Sequence, residues 1–155
     1  DKKLIICDID GTIADASHRM HLIQGEHKDW DKFFYECAND KPIKDVIAIL
    51  DDLVRGRPLG VKREILFVSG RSDMVRTQTD LWLSKHLSSV YPYCSSGDIL
   101  MRKAGDHRPD YQVKAELTKK LKPKDVWFVL DDRDQVVDMW RERGFRCLQV
   151  AEGDF

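Results

Sequence analysis

Five short apolar runs, alternating with helical patterns, constrain this chain more than any other feature. They are Leu4-Ile5-Ile6-Cys7, Glu64-Ile65-Leu66-Phe67-Val68, Ile99-Leu100-Met101, Val126-Trp127-Phe128-Val129-Leu130 and Cys147-Leu148-Gln149-Val150. Runs this short and this apolar read as strands buried on both faces, as in a parallel sheet. Between them, Ile43, Val46, Ile47, Leu50, Leu53 and Val54 form one helical stripe, halted by Gly56 and Pro58. Ser72 can cap a helix with Met74, Gln78, Leu81 and Trp82 on one face. Pro109 opens a helix striped by Val113, Leu117 and Leu121. Val136, Val137 and Trp140 mark the last one, with Arg141 and Arg143 in its final turn and Gly144 as its stop. The alternation predicts an α/β fold: a doubly wound, Rossmann-like, five-stranded parallel sheet with helices on both faces. Residues 14–42, with Trp30, Phe33, Phe34 and Tyr35, interrupt the pattern and read as a small helical flap after the first strand.

A chain of 155 residues fits a single domain, taken as residues 1–155. No apolar run approaches the roughly 18 residues of a membrane span, and no secretion signal opens the chain. The net charge of −1 excludes a general polyanion coat, so any nucleic acid must be met by a local patch. Cys7, Cys37, Cys94 and Cys147 form no short-spaced pair, which argues against zinc and for free thiols in a reducing, cytoplasmic setting. Because the chain starts at Asp1, an excised domain or a trimmed chain is an open expectation.

The chemistry-bearing residues cluster at strand ends. Asp8-Ile9-Asp10-Gly11-Thr12 follows the first strand, where an open α/β sheet places its ligands. Alternation aims Asp8 and Asp10 into one crevice, and a divalent cation would relieve their repulsion. An Asx-rich turn ending the strand is the plainer alternative. Asp131-Asp132 repeats the pattern after the most apolar strand, so four acids at two core strand ends favour a magnesium site. Ser69-Gly70-Arg71 offers a hydroxyl and backbone N–H groups that suit a phosphate oxygen, or forms a simple turn. Lys114 lies four residues after Asp110. It is either one half of a surface ion pair or a lysine held by Asp110 and aimed at a phosphate.

Asp8-Ile9-Asp10-Gly11-Thr12, Ser69-Gly70-Arg71, Lys114 and Asp131-Asp132 resemble, in order, the four motifs of the haloacid dehalogenase (HAD) superfamily of phosphotransferases. The stretch from Asp131 to Arg141 and the ending from Gln149 to Phe155 are similar to the 3′-phosphatase domain of bacteriophage-type polynucleotide kinase/phosphatase. This resemblance implies an aspartyl-phosphate mechanism. Asp8 is then the nucleophile and Asp10 the general acid and base. Magnesium is held by Asp8, the carbonyl of residue 10 and Asp132, with Asp131 nearby, so that Asp8, Asp10, Asp131 and Asp132 make the metal set. Ser69 and Lys114 hold the non-bridging oxygens. Thr12, Gly70 and Asp110 join the substrate-binding set, and Arg19, Arg71 and Arg102 are implied as clamps for the phosphate and its nucleotide.

The expected substrate is a 3′-phosphorylated DNA or RNA end. Free nucleotides are the nearest alternative, and a non-catalytic nucleic-acid-binding domain is a more distant one. An open groove lined by Arg19, Arg71, Arg102 and Arg108 would favour a polymer end. The chain carries no Gly-x-x-x-x-Gly-Lys-Ser/Thr loop, so a kinase half would lie upstream or on another chain.

Overall fold

Alternation along each strand decides which helix layer it serves. In the computed structural model, which describes residues 2–94 and 99–155, Ile5, Cys7, Ile65, Phe67, Phe128 and Leu130 point into one buried layer. They meet Val46, Leu50, Val54, Trp82 and Leu83 there. Their strand neighbours Ile6, Val68 and Val129 point the other way, onto Val136, Val137, Met139 and Trp140. Both faces are therefore covered, as the uniformly apolar runs require.

Five strands build the sheet: β1 (Lys2–Cys7), β4 (Lys62–Ser72), β5 (Leu100–Arg102), β6 (Val126–Asp131) and β7 (Cys147–Gln149). They run in the spatial order β5-β4-β1-β6-β7, and every pairing is parallel. The order reverses between β1 and β6. That switch point opens a crevice at the strands' carboxyl ends. The helices α2 (Lys44–Arg55) and α3 (Arg76–His86) cover the first face, and α4 (Asp110–Leu117) and α5 (Asp134–Glu142) the second.

Several boundaries differ from expectation. β4 runs to Ser72, so Ser69-Gly70-Arg71 lies inside the strand tip, where its register with β5 shifts, and not in a turn beyond it. Ser72 caps a short turn at Asp73–Val75, and α3 follows it. The buried residues there are Val75, Thr79, Trp82 and Leu83, whereas Met74 and Leu81 are exposed. α4 begins at Asp110 with Pro109 as its cap and ends a turn early, at Leu117.

Residues 14–42 are more than helical. At their base, β2 (Ala14–Asp15) pairs antiparallel with β3 (Lys41–Pro42). The short helix α1 (Trp30–Tyr35) sits between two 3₁₀ turns, Ser17–Ile23 and Glu36–Asn39. The Trp82 indole N–H donates to the Asp40 carbonyl at 2.9 Å, which ties this segment to α3. Among the described residues, no helix is long and apolar enough to cross a membrane.

Candidate active site at the switch point

Asp8 is the first residue beyond β1, and its N–H donates to the Leu130 carbonyl at 2.9 Å, which sets it beside the tip of β6. Ile9 turns into the core, while the carboxylates of Asp8 and Asp10 on either side of it meet polar partners. The N–H groups of Thr12, Ile13 and Ala14 all donate to the Ile9 carbonyl, a tight turn that holds this pair. Gly11 sits at φ +82°, and a side chain there would collide with the Asp132 carboxylate. Glycine answers both constraints.

Asp8 is buried, and both of its oxygens are held. Lys114 Nζ donates to Oδ1 at 2.8 Å and Thr12 Oγ1 to Oδ2 at 3.0 Å. Lys114, itself buried in α4, also donates to Asp131 Oδ2 at 2.9 Å. Asp131 further accepts from the Trp140 indole at 3.2 Å and the Asp132 N–H at 2.9 Å. Asp8, Asp131 and Asp132 each offer an oxygen within 4.8 Å of the others. Burial, reinforced by the Asp131 charge, pushes the Asp8 carboxyl well above its usual range and that of Asp132 up to about 6. Burial alone would lower the Lys114 ammonium, but Asp131 and Asp8 outweigh it and hold it above the ordinary lysine range. Three buried carboxylates against one ammonium leave two negative charges in a dry site, and all the donors are hard oxygens. The set fits a divalent cation of the magnesium type.

Asp10 belongs to a second cluster. Its Oδ1 accepts from Arg19 Nη2 at 2.8 Å and from Arg71 Nε and Nη2 at 3.0 and 2.7 Å. Burial works upward on Asp10, yet Arg71 and Arg19 outweigh it and leave its carboxyl below the usual value. The Asp10 carboxylate therefore belongs to a different group from Asp8, Asp131 and Asp132. The same two guanidiniums share Asp40: Arg19 through Nε and Nη2 at 2.9 and 2.8 Å, Arg71 through Nη2 at 2.9 Å. Arg19 also donates to the Phe33 carbonyl, and Arg71 to Thr79 Oγ1. Both side chains are fully buried. Asp10, Asp40, the Phe33 carbonyl and Thr79 thus take up donors of the two expected clamps, which fixes both guanidiniums against Asp10.

Asp110 does not hold Lys114 as expected. Its oxygens accept from Arg102 and Arg133, and no bond joins it to Lys114. Arg102 also donates to the carbonyls of Gly70, Asp106 and Arg108, bracing the loop before α4. A side chain at Gly70 would strike the Asp110 carboxylate. Ser69 is buried, and its Oγ accepts from the Arg71 N–H at 3.1 Å. Thr12 touches Asp8 directly. Arg108 is half exposed and paired with Asp106 and Glu116 at the rim.

Asp40 was missed from sequence. It is fully buried under two arginines, with His18 Nε2 against its Oδ1 at 2.7 Å. It lies in a polar stretch before β3 with no periodic pattern, and only its place next to Lys41-Pro42 marks it. Arg133 is the other omission, since its charge reads as an ordinary helix-start residue.

A model of the polynucleotide kinase PNKP phosphatase domain matches residues 2–155. A protein of Autographa californica nuclear polyhedrosis virus described as "Putative bifunctional polynucleotide kinase/RNA ligase" is 30% identical over 142 residues, which is 90% of this chain and 18% of that protein. A chain in the structure of the Pnkp1/Rnl/Hen1 RNA repair complex is 32% identical, with a TM-score of 0.73 over 99% of this chain and 43% of that one. The chain thus spans less than half the length of these relatives. A class C acid phosphatase from Bacillus anthracis, solved with tungstate bound, shares the fold at a TM-score of 0.57 and 19% identity, over 85% of this chain and 53% of that one.

Proposed function

Since the chain belongs to the family of polynucleotide kinase PNKP phosphatase domains, a branch of the HAD-type phosphatases, we propose that it removes phosphate from the 3′ ends of RNA or DNA during repair, with magnesium as cofactor. The observation that carries this reading is Asp8. It is a buried carboxylate at the sheet's switch point, gripped by Lys114 and Thr12 beside Asp131 and Asp132. Its partners fix the carboxylate's direction, as an attacking group needs.

In the first step an Asp8 oxygen forms a bond to phosphorus as the bond to the ribose oxygen breaks, and Asp10 gives that oxygen a proton. In the second step Asp10 takes a proton from water, which attacks the acyl phosphate and frees Asp8. Asp10 rests as a carboxylate because Arg71 and Arg19 hold it low. An arriving phosphate monoester, whose second pKa is about 6, brings a proton as its monoanion, and its charge raises the proton affinity of Asp10, which takes that proton and passes it to the leaving oxygen. Lys114 and Ser69 line the side from which non-bridging oxygens are met. Asp8, the main-chain carbonyl of Asp10 and Asp132 would hold magnesium, with Asp131 fixing Lys114 between them. When bound, the ion offsets the charge that gathers on the phosphate.

The viral relative's printed name supports a kinase partner, in the same chain or another. The test is phosphate release from a 3′-phosphorylated oligonucleotide against a 3′-mononucleotide, with and without magnesium. Preference for the oligonucleotide and silence in EDTA are expected. Equal turnover of the mononucleotide replaces this reading with a nucleotidase.

A further inference from the structure

The site described so far accounts for the terminal phosphate and for nothing beyond it. Next to it lies an aromatic cluster on α1 that the chemistry does not use. The Arg19 guanidinium, which binds Asp10, stacks 4.5 Å from the centre of the Phe33 ring. Phe33 meets Trp30 edge to face at 5.7 Å, and Trp30 lies 6.0 Å from Phe34. Phe33 is only 8% exposed, but Trp30 above it is 45% exposed. A hollow of about 490 Å³ opens beside Trp30, lined also by His27, Lys28, Asp29 and Asp31. Asp29 is engaged by the Lys32 N–H within the helix.

A solvent-facing indole two ring contacts from an active-site guanidinium is well placed for a flat, apolar ligand with a charged linker. Phe33 and Phe34 brace the ring, so little ordering remains when something stacks on it. We propose that Trp30 and its hollow seat a nucleobase of the substrate strand by stacking, with Lys28 and His27 facing the strand's backbone. This inference rests on the reading of the chain as a 3′-end phosphatase. It deepens that reading by making a base, and not only a phosphate, part of what is recognised. Every base has a π face, so the seat tolerates any sequence.

The test compares kcat/KM of wild type, Trp30→Ala and Trp30→Phe on three substrates. These are a 3′-phosphorylated oligonucleotide, the same strand with abasic residues at its 3′ end, and p-nitrophenyl phosphate. Trp30→Ala should lower the oligonucleotide value by roughly 5- to 150-fold, mostly through KM, and leave p-nitrophenyl phosphate unchanged. Trp30→Phe should keep most of the activity, and the abasic strand should penalise wild type but not Trp30→Ala. An unmoved oligonucleotide value in Trp30→Ala overturns the proposal. Equal use of intact and abasic strands by wild type overturns it too, whether or not the alanine variant folds. If wild type instead shows no preference for the oligonucleotide over a 3′-mononucleotide, the functional reading itself fails and takes the stacking seat with it.

Discussion

Replacing Lys114 by methionine keeps the length of the side chain and deletes the ammonium bonded to the acidic cluster. In the wild type it lies 2.8 Å from Asp8 and 2.9 Å from Asp131, and all three side chains are buried. Removing one partner of a buried charge pair costs about 3–5 kcal/mol, because the charges left behind have lost both water and counter-ion. For a domain of this size the corresponding fall in Tm is about 6–20 °C. The loss has a pH signature. Without the ammonium, the folded-state pKa values of Asp8 and Asp132, already raised, move further up. A carboxylate with a raised folded pKa contributes stability below its unfolded value and loses it as pH rises through the folded one. Lys114→Met should therefore melt far below wild type at pH 7.5 in EDTA, and the gap should narrow as pH falls toward the ordinary aspartate value of 3.8. Phosphate release should drop roughly 10²–10³-fold, the scale for one lost oxyanion donor. Circular dichroism melts at several pH values, paired with a phosphate-release assay, check both. A variant that melts with wild type at pH 7.5 and shows no pH trend refutes the charge argument.

Asp8→Asn should abolish turnover and raise Tm in EDTA by a few degrees, because it removes one of three repelling carboxylates while its amide oxygen still accepts from Lys114. Melting and activity assays on the same sample read both. Magnesium at about 100 times its Kd should raise the wild-type Tm by about 5–10 °C at pH 7.5, and Asp132→Asn should lose that shift. Asp40→Ala should destabilise the fold by about 3–5 kcal/mol, measured by denaturant unfolding, since it leaves two buried guanidiniums sharing the single carboxylate of Asp10. The cleavage rate of the oligonucleotide should fall with salt with a shallow slope, about 0.7 per phosphate contacted, because few exposed arginines surround the site.

The apolar runs made the sheet readable. Val126 to Leu130 is uniformly apolar because β6 is covered on both faces, and Asp131-Asp132 stands out against it for the same reason. The cluster of Asp8, Lys114, Asp131 and Asp132 was therefore legible. The arginines were legible as charges but not as partners. Arg71 meets Asp10 and Asp40 across 61 and 31 positions of sequence, and no local pattern encodes which acid a guanidinium will find. Asp40 carried no signal beyond its place before Lys41-Pro42, because its burial comes from residues 14–42 closing on α3. The pairing expected between Asp110 and Lys114 failed for a related reason. Helical spacing makes it available, but the deeper carboxylates of Asp8 and Asp131 compete more strongly for a desolvated ammonium.

Residues 149–155 lie across the loop that carries Asp131 and Asp132. Gln149 donates to the Asp132 carbonyl, the Val150 N–H to the Asp131 carbonyl, and the Gly153 carbonyl accepts from the Asp134 N–H. A side chain at Gly153 would collide with the backbone of Asp132 and Arg133. The consequence is one of timing during synthesis. Asp8 and Asp10 leave the ribosome long before this strap, yet the backbone of Asp131 and Asp132, which faces them, gains its last hydrogen bonds only when residues 149–153 arrive.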